Sequence, residues 1–328
     1  MNCHVCGADK AVEAGEVEYY SGYGWKVYDC RACSCRFTEH DDSIYDWLHS
    51  QAGSSYGLYR ELADKCKRLY DGSDLAGLRR ELCATTKYKF VIESIERHPT
   101  DAKILEIGCS RGYLTSYFIL AGYNVTGVDI SAEAVAGAQE SFGDFFLTAD
   151  SPAVADRAPY DVIYHVGTIG CVGDPLKLTR QLLGMLKPGG ELIFNAPNAD
   201  SCWLKDQLWI DAAPPPDLVT LFRPGFWSQQ FAGVATVKEE IEPCPPERSF
   251  GIGVSKLFGR KWRRPEPLLL EASLNDFKMA RRGSAVIGDR LWPIFERSAV
   301  KAGRLTRTLA LAPTQPSPFG LLIRMTKV

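Results

Sequence analysis

The chain has 328 residues, 45% of them hydrophobic and 24% charged, with a formal net charge of -2 at neutral pH. That length suits one large domain or two smaller ones, and the composition is that of an ordinary globular protein. The near-neutral charge argues against a dedicated nucleic-acid binder, and no stretch approaches the roughly 20 apolar residues that span a bilayer.

Met1-Asn2-Cys3-His4 lacks the apolar core of a signal peptide, so a cytoplasmic location is expected. Cysteines then need an explanation other than disulfides, because that compartment keeps thiols reduced. Cys3, Cys6, Cys30, Cys33 and Cys35 all crowd into the start of the chain. Cys3-His-Val-Cys6 and Cys30-Arg-Ala-Cys33 form a paired C-x-x-C pattern, in which each half presents two thiolates to one tetrahedral ion. Between them, Val17 to Tyr20 and Trp25 to Tyr28 flank Ser21-Gly-Tyr-Gly24, which reads as a hairpin. The pattern resembles a zinc ribbon over residues 1–40. Four thiolates leave the ion no open position, so the expected zinc is structural. Cys35 and His4 fall outside the knuckle spacing.

Residues 41–98 read as a helical connector. Leu58, Leu62, Leu69, Leu75, Leu78 and Leu82 punctuate charged positions, and Pro99 stops the last helix. A core is expected over 99–242. Ile104, Leu105 and Ile107 form a short apolar strand, Gly108 to Gly112 a tight turn, and Leu114 to Ala121 a helix. Val125 to Val128 is the next strand, with Asp129 at its carboxyl end. Phe145 to Asp150, Tyr160 to Val166 and Glu191 to Asn195 are further strands, with a helix over Pro175 to Leu186. Strands alternating with helices of this length predict a doubly wound, mostly parallel α/β sheet with right-handed crossovers. A sixth strand is expected near Ala235 to Ile241. After an irregular insertion over 243–317, Phe319 to Met325 looks like a final strand returning to the sheet.

The insertion is basic. From Arg248 onward there are 16 Lys/Arg against 5 Asp/Glu, which leaves 22 against 35 in the rest of the chain. Arg260, Lys261, Arg263 and Arg264 form one cluster. Such a surface is either a solvated helix face or a contact for a phosphorylated substrate, an anionic membrane surface or RNA.

Two ligands compete for the glycine turn. A dinucleotide needs G-x-G-x-x-G, and here Ser110 and Tyr113 occupy the second and third glycine positions, so the fit is poor. The alternative rests on an ordered set of motifs. Glu106-Ile-Gly108-Cys-Ser-Arg-Gly112, Val-Thr-Gly-Val-Asp129, Ala-Asp150, Tyr160-Asp161-Val-Ile, Asp174-Pro175, Leu186-Lys-Pro-Gly-Gly190 and Asn195-Ala-Pro-Asn198 together resemble the class I S-adenosylmethionine-dependent methyltransferases. A preceding zinc ribbon is similar to the arrangement in sugar and natural-product methyltransferases. The resemblance implies a Rossmann-like sheet of seven strands with S-adenosyl-L-methionine as cofactor. Gly108, Cys109 and Gly112 would lie against its methionine portion, and Glu106 would orient its amino group. Asp129 would take the ribose hydroxyls and Asp150 would contact the adenine, with Ile130 a further cofactor-binding candidate.

The chain also departs from that family. Glu-His commonly precedes the Asp-Pro step, where this chain has Gly170 and Cys171. A general base for a hydroxyl acceptor must then come from elsewhere. His165, near the end of the fourth strand, and Asp217, where the family's substrate-side loop often has a histidine, are the candidates. The expected activity is O- or N-methylation of a small molecule or carbohydrate. An RNA methyltransferase and a non-catalytic zinc-ribbon scaffold are the alternative readings.

Overall fold

The computed structural model describes residues 1–20, 23–39, 57–200, 208–210, 215, 218–243, 298, 301 and 318–328. The basic insertion between 244 and 317 therefore lies outside the described residues except at Ser298 and Lys301, and Asp217 lies outside them altogether.

The cysteine-rich lobe is built on strands β1 (Ala11–Tyr20), β2 (Tyr23–Cys30) and β3 (Arg36–Thr38). β1 and β2 form the hairpin the sequence predicts, but Tyr23 and Gly24, expected in the turn, already belong to β2, with Tyr20 paired to Tyr23. Helices α1 (Gly57–Asp71), α2 (Leu75–Leu82) and α3 (Thr86–Ile95) follow. The Asp74 side chain caps α2 by accepting from the Gly77 amide at 2.8 Å.

The core alternates β4 (Lys103–Ile107), α4 (Thr115–Leu120), β5 (Asn124–Asp129), α5 (Ala132–Phe142), β6 (Phe146–Thr148), α6 (Pro152–Asp156), β7 (Tyr160–His165), α7 (Pro175–Met185) and β8 (Leu186–Pro197). Ser131 caps α5. Asp174 caps α7 ahead of Pro175, whose missing N–H suits the first helical position. Helix α7 ends one residue earlier than its leucine spacing suggests, because Leu186 already pairs with Tyr160 in the sheet. Strands β9 (Thr220–Leu221), β10 (Ala235–Pro243) and β11 (Pro318–Lys327) complete the set, with α8 (Phe226–Gln230) between β9 and β10.

The main sheet has the order β10-β11-β8-β7-β4-β5-β6. The ladders from β8 to β6 are parallel, and β11 runs antiparallel to both β10 and β8. The returning last strand and the doubly wound architecture are thus as the sequence implies. Side chains alternate between two apolar layers, as period-2 geometry requires. Ile104, Val162, Tyr164 and Ile193 face α2, α3 and α4 through Leu78, Val91 and Phe118. Leu105, Ile163, Leu192 and Phe194 share the opposite layer with Leu182, Trp227 and, from the N-terminal lobe, Cys3, Val5 and Phe37.

The two parts are also joined by backbone. β3 pairs with β9, so the lobe's sheet reads β1-β2-β3-β9 and borrows its last strand from the core. No helix among the described residues is long and apolar enough to cross a membrane.

Candidate active site

Parallel strands of an open α/β sheet offer their carboxyl ends to ligands, and there β4 and β5 meet. The turn after β4 folds back so that the Gly108 and Cys109 amides both donate to the Val128 carbonyl, at 2.7 and 3.0 Å. Gly108 has φ +75, and a Cβ there would come within 2.5 Å of Thr168 Oγ1, so conformation and space both require glycine. Ser110, where the dinucleotide pattern would have its second glycine, adopts φ +49. The chain accepts the left-handed backbone without the residue that tolerates it best.

Asp129 ties this turn to the next helix. Its Oδ2 accepts from the Ser110 amide at 2.7 Å and its Oδ1 from the Ser131 amide at 2.9 Å. Each carboxylate oxygen has a second lone pair, so the group can still receive two hydroxyls. Beside it Ile130 is 59% exposed, an apolar surface at the strand end suited to a planar base. Asp150 is exposed in the turn that follows β6.

The other turn residues are fixed by packing. Glu106 lies beneath the turn, only 3% exposed, rather than at its mouth. Thr115 Oγ1 and the Tyr164 hydroxyl, the latter at 2.8 Å, donate to its Oε2, so it joins β4 to the start of α4 and to β7. Burial pushes its carboxyl up to about 7 against the opposing pull of those two donors. Gly112 serves packing: a Cβ there would meet the Phe146 ring at 2.5 Å and Ala138 Cβ at 3.1 Å. The Cys109 side chain is buried with Val135, Ala138, Phe142 and Phe146, so only its backbone belongs to the turn.

His165 does not serve as an accessible base. It is 0% exposed, stacked on Phe194 with ring centroids 4.6 Å apart. Neither ring nitrogen has a hydrogen-bond partner, and burial lowers its pKa to about 3. The strand-end position suggested access; the side-chain alternation that turns His165 into the Phe194 layer removes it. Asp217 is outside the described residues.

Gly170 explains the missing Glu-His pair. Its carbonyl accepts from the Val219 and Thr220 amides at 2.8 and 3.0 Å, and a Cβ would come within 2.7 Å of Pro197. The segment before β9 lies directly against this glycine, leaving no room for a larger side chain. That splice continues into the N-terminal lobe: Thr38 N donates to Val219 O at 2.9 Å, and His4 Nε2 lies 2.8 Å from Thr220 Oγ1.

In the lobe itself, Cys3, Cys6, Cys30 and Cys33 bring their sulfurs within 4.8 Å of one another. Four thiolates at about 2.3 Å from one ion define a tetrahedron with edges of about 3.8 Å. The Cys3–Cys33 and Cys6–Cys30 separations are 3.8 and 3.7 Å. The donor set fits a closed tetrahedral zinc site. Cys35 is buried outside the quartet, and His4 points to β9 instead.

A hollow of about 440 Å³ lined by Lys103, Tyr123, Asn124 and Arg157 lies at the amino ends of β4 and β5. It is at the wrong end of the sheet for a strand-end ligand.

A family model described as a methyltransferase domain matches residues 75–234. The ubiquinone biosynthesis O-methyltransferase of Actinobacillus pleuropneumoniae serotype 7 is 30% identical over 107 residues, covering 29% of this chain and 46% of that protein. The malonyl-[acyl-carrier protein] O-methyltransferase of Enterobacter lignolyticus is 31% identical over 117 residues, covering 34% and 47%. The chain thus spans about half the length of the relatives it matches. A methyltransferase structure from Archaeoglobus fulgidus is 16% identical, with coverage of 73% and 94% and a TM-score of 0.41. Residues 75–234 are thus similar to a methyltransferase domain, and the strand order and the glycine turn agree with that likeness.

Proposed function

We propose that the chain methylates a small molecule or carbohydrate, at oxygen or nitrogen, with S-adenosyl-L-methionine as donor. The observation that carries this reading is Asp129, fixed at the end of β5 by two backbone amides, with Gly108 on one side and exposed Ile130 on the other. Asp129 would hold the ribose hydroxyls, Ile130 would cover one face of the base, and Asp150 would lie near the adenine. Glu106 acts from below by holding β4, α4 and β7 in register. When bound, the cofactor supplies an electrophilic methyl group on a sulfonium, so the protein's work is alignment and exclusion of water.

Both matched relatives described above are named O-methyltransferases, which supports an oxygen acceptor as the first class to examine. With His165 buried and neutral, a hydroxyl would need a base from the segment around Asp217; a neutral amine would need none.

The four cysteines would hold structural zinc, and the lobe they order would form a wall on the acceptor side. The β3–β9 pairing and the His4–Thr220 contact support this, because β9 leans on Gly170 beyond the end of β7. Transfer of label from a methyl-labelled cofactor across nucleotide sugars, phenols, carboxylates and amines tests the proposal. Labelling of one small-molecule class is the expected result. Labelling confined to RNA would refute the small-molecule reading, and no transfer to any acceptor despite cofactor binding would favour a scaffold.

A further inference from the structure

A strand at the rim of a sheet leaves a row of backbone N–H and C=O groups open to another strand. β10 is such a rim strand, and its 9 residues contrast with the 3 of β6 at the other edge of the main sheet. Thr236, Lys238 and Glu240 are exposed on one of its faces. Val237, Glu239 and Ile241 lie on the other, where Ile241 is 53% exposed although its neighbour on β11, Leu321, is buried. Lys238 stands directly opposite Arg324 of β11, a like charge. Among the described residues neither Lys238 nor Glu240 has an ion-pair partner. β1, the outer strand of the lobe's sheet, differs: its charged residues are all acidic and its register breaks twice. Two copies of β1 would repel.

We propose that β10 is a self-association surface, on which two copies of this chain pair β10 to β10, antiparallel, about a two-fold axis at Glu239. In that register Lys238 of each copy falls opposite Glu240 of the other, and Val237 falls opposite Ile241. Lys238, which faces only a like charge within its own sheet, gains a carboxylate on its outer side, and the exposed Ile241 gains an apolar neighbour. A centre at Lys238 or at Glu240 would instead set that residue against its own copy. Glu239 also meets its copy, but its carboxylate is already held by the Gly225 and Ser228 amides, at 2.7 and 2.8 Å. The main sheets of the two copies become one continuous sheet, with the turn after β4 far from the shared edge. In a monomer the same charges would serve only to keep the edge from pairing.

The test is a charge swap read by sedimentation equilibrium on the full chain. Over roughly 1 to 200 µM the wild type should show a monomer–dimer equilibrium, because an interface of two paired strands is small. Lys238→Glu should weaken the dimer by about ten-fold or more, since both cross-strand charge pairs become repulsive. Glu240→Lys should do the same for the same reason. Both side chains are exposed, so circular dichroism should show both variants folded. Mixed in equal amounts, the two variants should associate again, because one strand then carries acidic and the other basic charge at both positions. A wild type that stays monomeric throughout the range overturns the proposal, and so does a dimer that neither substitution weakens. Variants that fail to associate when mixed would refute the register.

Discussion

The two ends of this molecule reach specificity by different chemistry. In the N-terminal lobe the chemistry is carried by side chains at fixed spacing: four sulfurs gathered within 4.8 Å by two knuckles on a hairpin. At the ends of β4 and β5 it is carried by backbone amides, a glycine's missing side chain and one carboxylate that ties two turns together. A side-chain site can be read from residue identity, and a backbone site only from shape. Yet the two regions are not independent bodies, because β9 belongs to the lobe's sheet and hydrogen-bonds around Gly170 of the core.

The largest effect is expected where the lobe is broken. Serine at both Cys3 and Cys30 should abolish zinc binding, measured as bound metal by atomic absorption. It should also raise hydrogen exchange in residues 36–38 and 218–222, since structural zinc in small domains contributes on the order of 10 kcal/mol. S-adenosylhomocysteine affinity should change by no more than a few-fold if the glycine end is held by β4, β5 and Asp129 alone. Loss of cofactor binding as well would mean that the two regions form one cooperative unit.

How far each region was legible in the sequence follows from the same contrast. The C-x-x-C pairs named the sulfurs correctly, and the apolar runs located all seven strands of the main sheet, including the returning β11. The β3–β9 splice was not legible, because three-residue and two-residue strands carry no periodicity. At the turn, the place of Asp129 at the end of β5 was legible from the buried strand before it, whereas its two backbone donors were not. For the turn residues assigned to the cofactor, only the fold reveals the packing: the Glu106 side chain lies under the turn, that of Cys109 lies inside the α5–β6 layer, and Gly112 leaves room for Phe146. His165 was misread for a related reason. A strand-end position says where a residue sits along the strand, whereas the layer it enters decides whether solvent reaches it. Thr115 and Tyr164 were missed; no motif marks them, and only the fold brings them to Glu106.

Below the loss of zinc, the next effects concern charge buried at the core end. Glu106 is held with its pKa raised from 4.5 to about 7, so the folded state binds the proton more tightly than the unfolded chain. Its contribution to stability is complete below pH 4.5 and is lost as pH rises through about 7, a swing of about 3 kcal/mol. His165 acts in the opposite sense. Its pKa falls from 6.5 to about 3, so its contribution is present above pH 6.5 and is lost as pH falls toward 3. Between about pH 4.5 and 6.5 the two slopes oppose each other. Urea melts across that window should show Glu106→Gln steepening the rise of stability with pH relative to wild type. His165→Phe should do the reverse. Unchanged slopes in both variants would show that neither group is buried as described.

His165→Phe carries a second, smaller expectation. It removes two buried ring nitrogens that lack partners while keeping the ring against Phe194, so stability at pH 7 should hold or rise by about 1 kcal/mol. Methyl transfer should persist; its loss in a folded variant would restore His165 as the base. The smallest effect is Ser110→Gly, which relieves a left-handed backbone at φ +49 and should stabilise the chain by about 1 kcal/mol or less in thermal melts.

The central claim is that Asp129 anchors the methyl donor at the end of β5. Titration of S-adenosylhomocysteine into the wild type and Asp129→Ala, with circular dichroism to confirm folding, tests it most directly. The account predicts clear binding by the wild type and a loss of about 100-fold or more in the variant, since a charged acceptor of two hydroxyls is removed. Equal affinity in the two proteins, or no binding by the wild type, would contradict it.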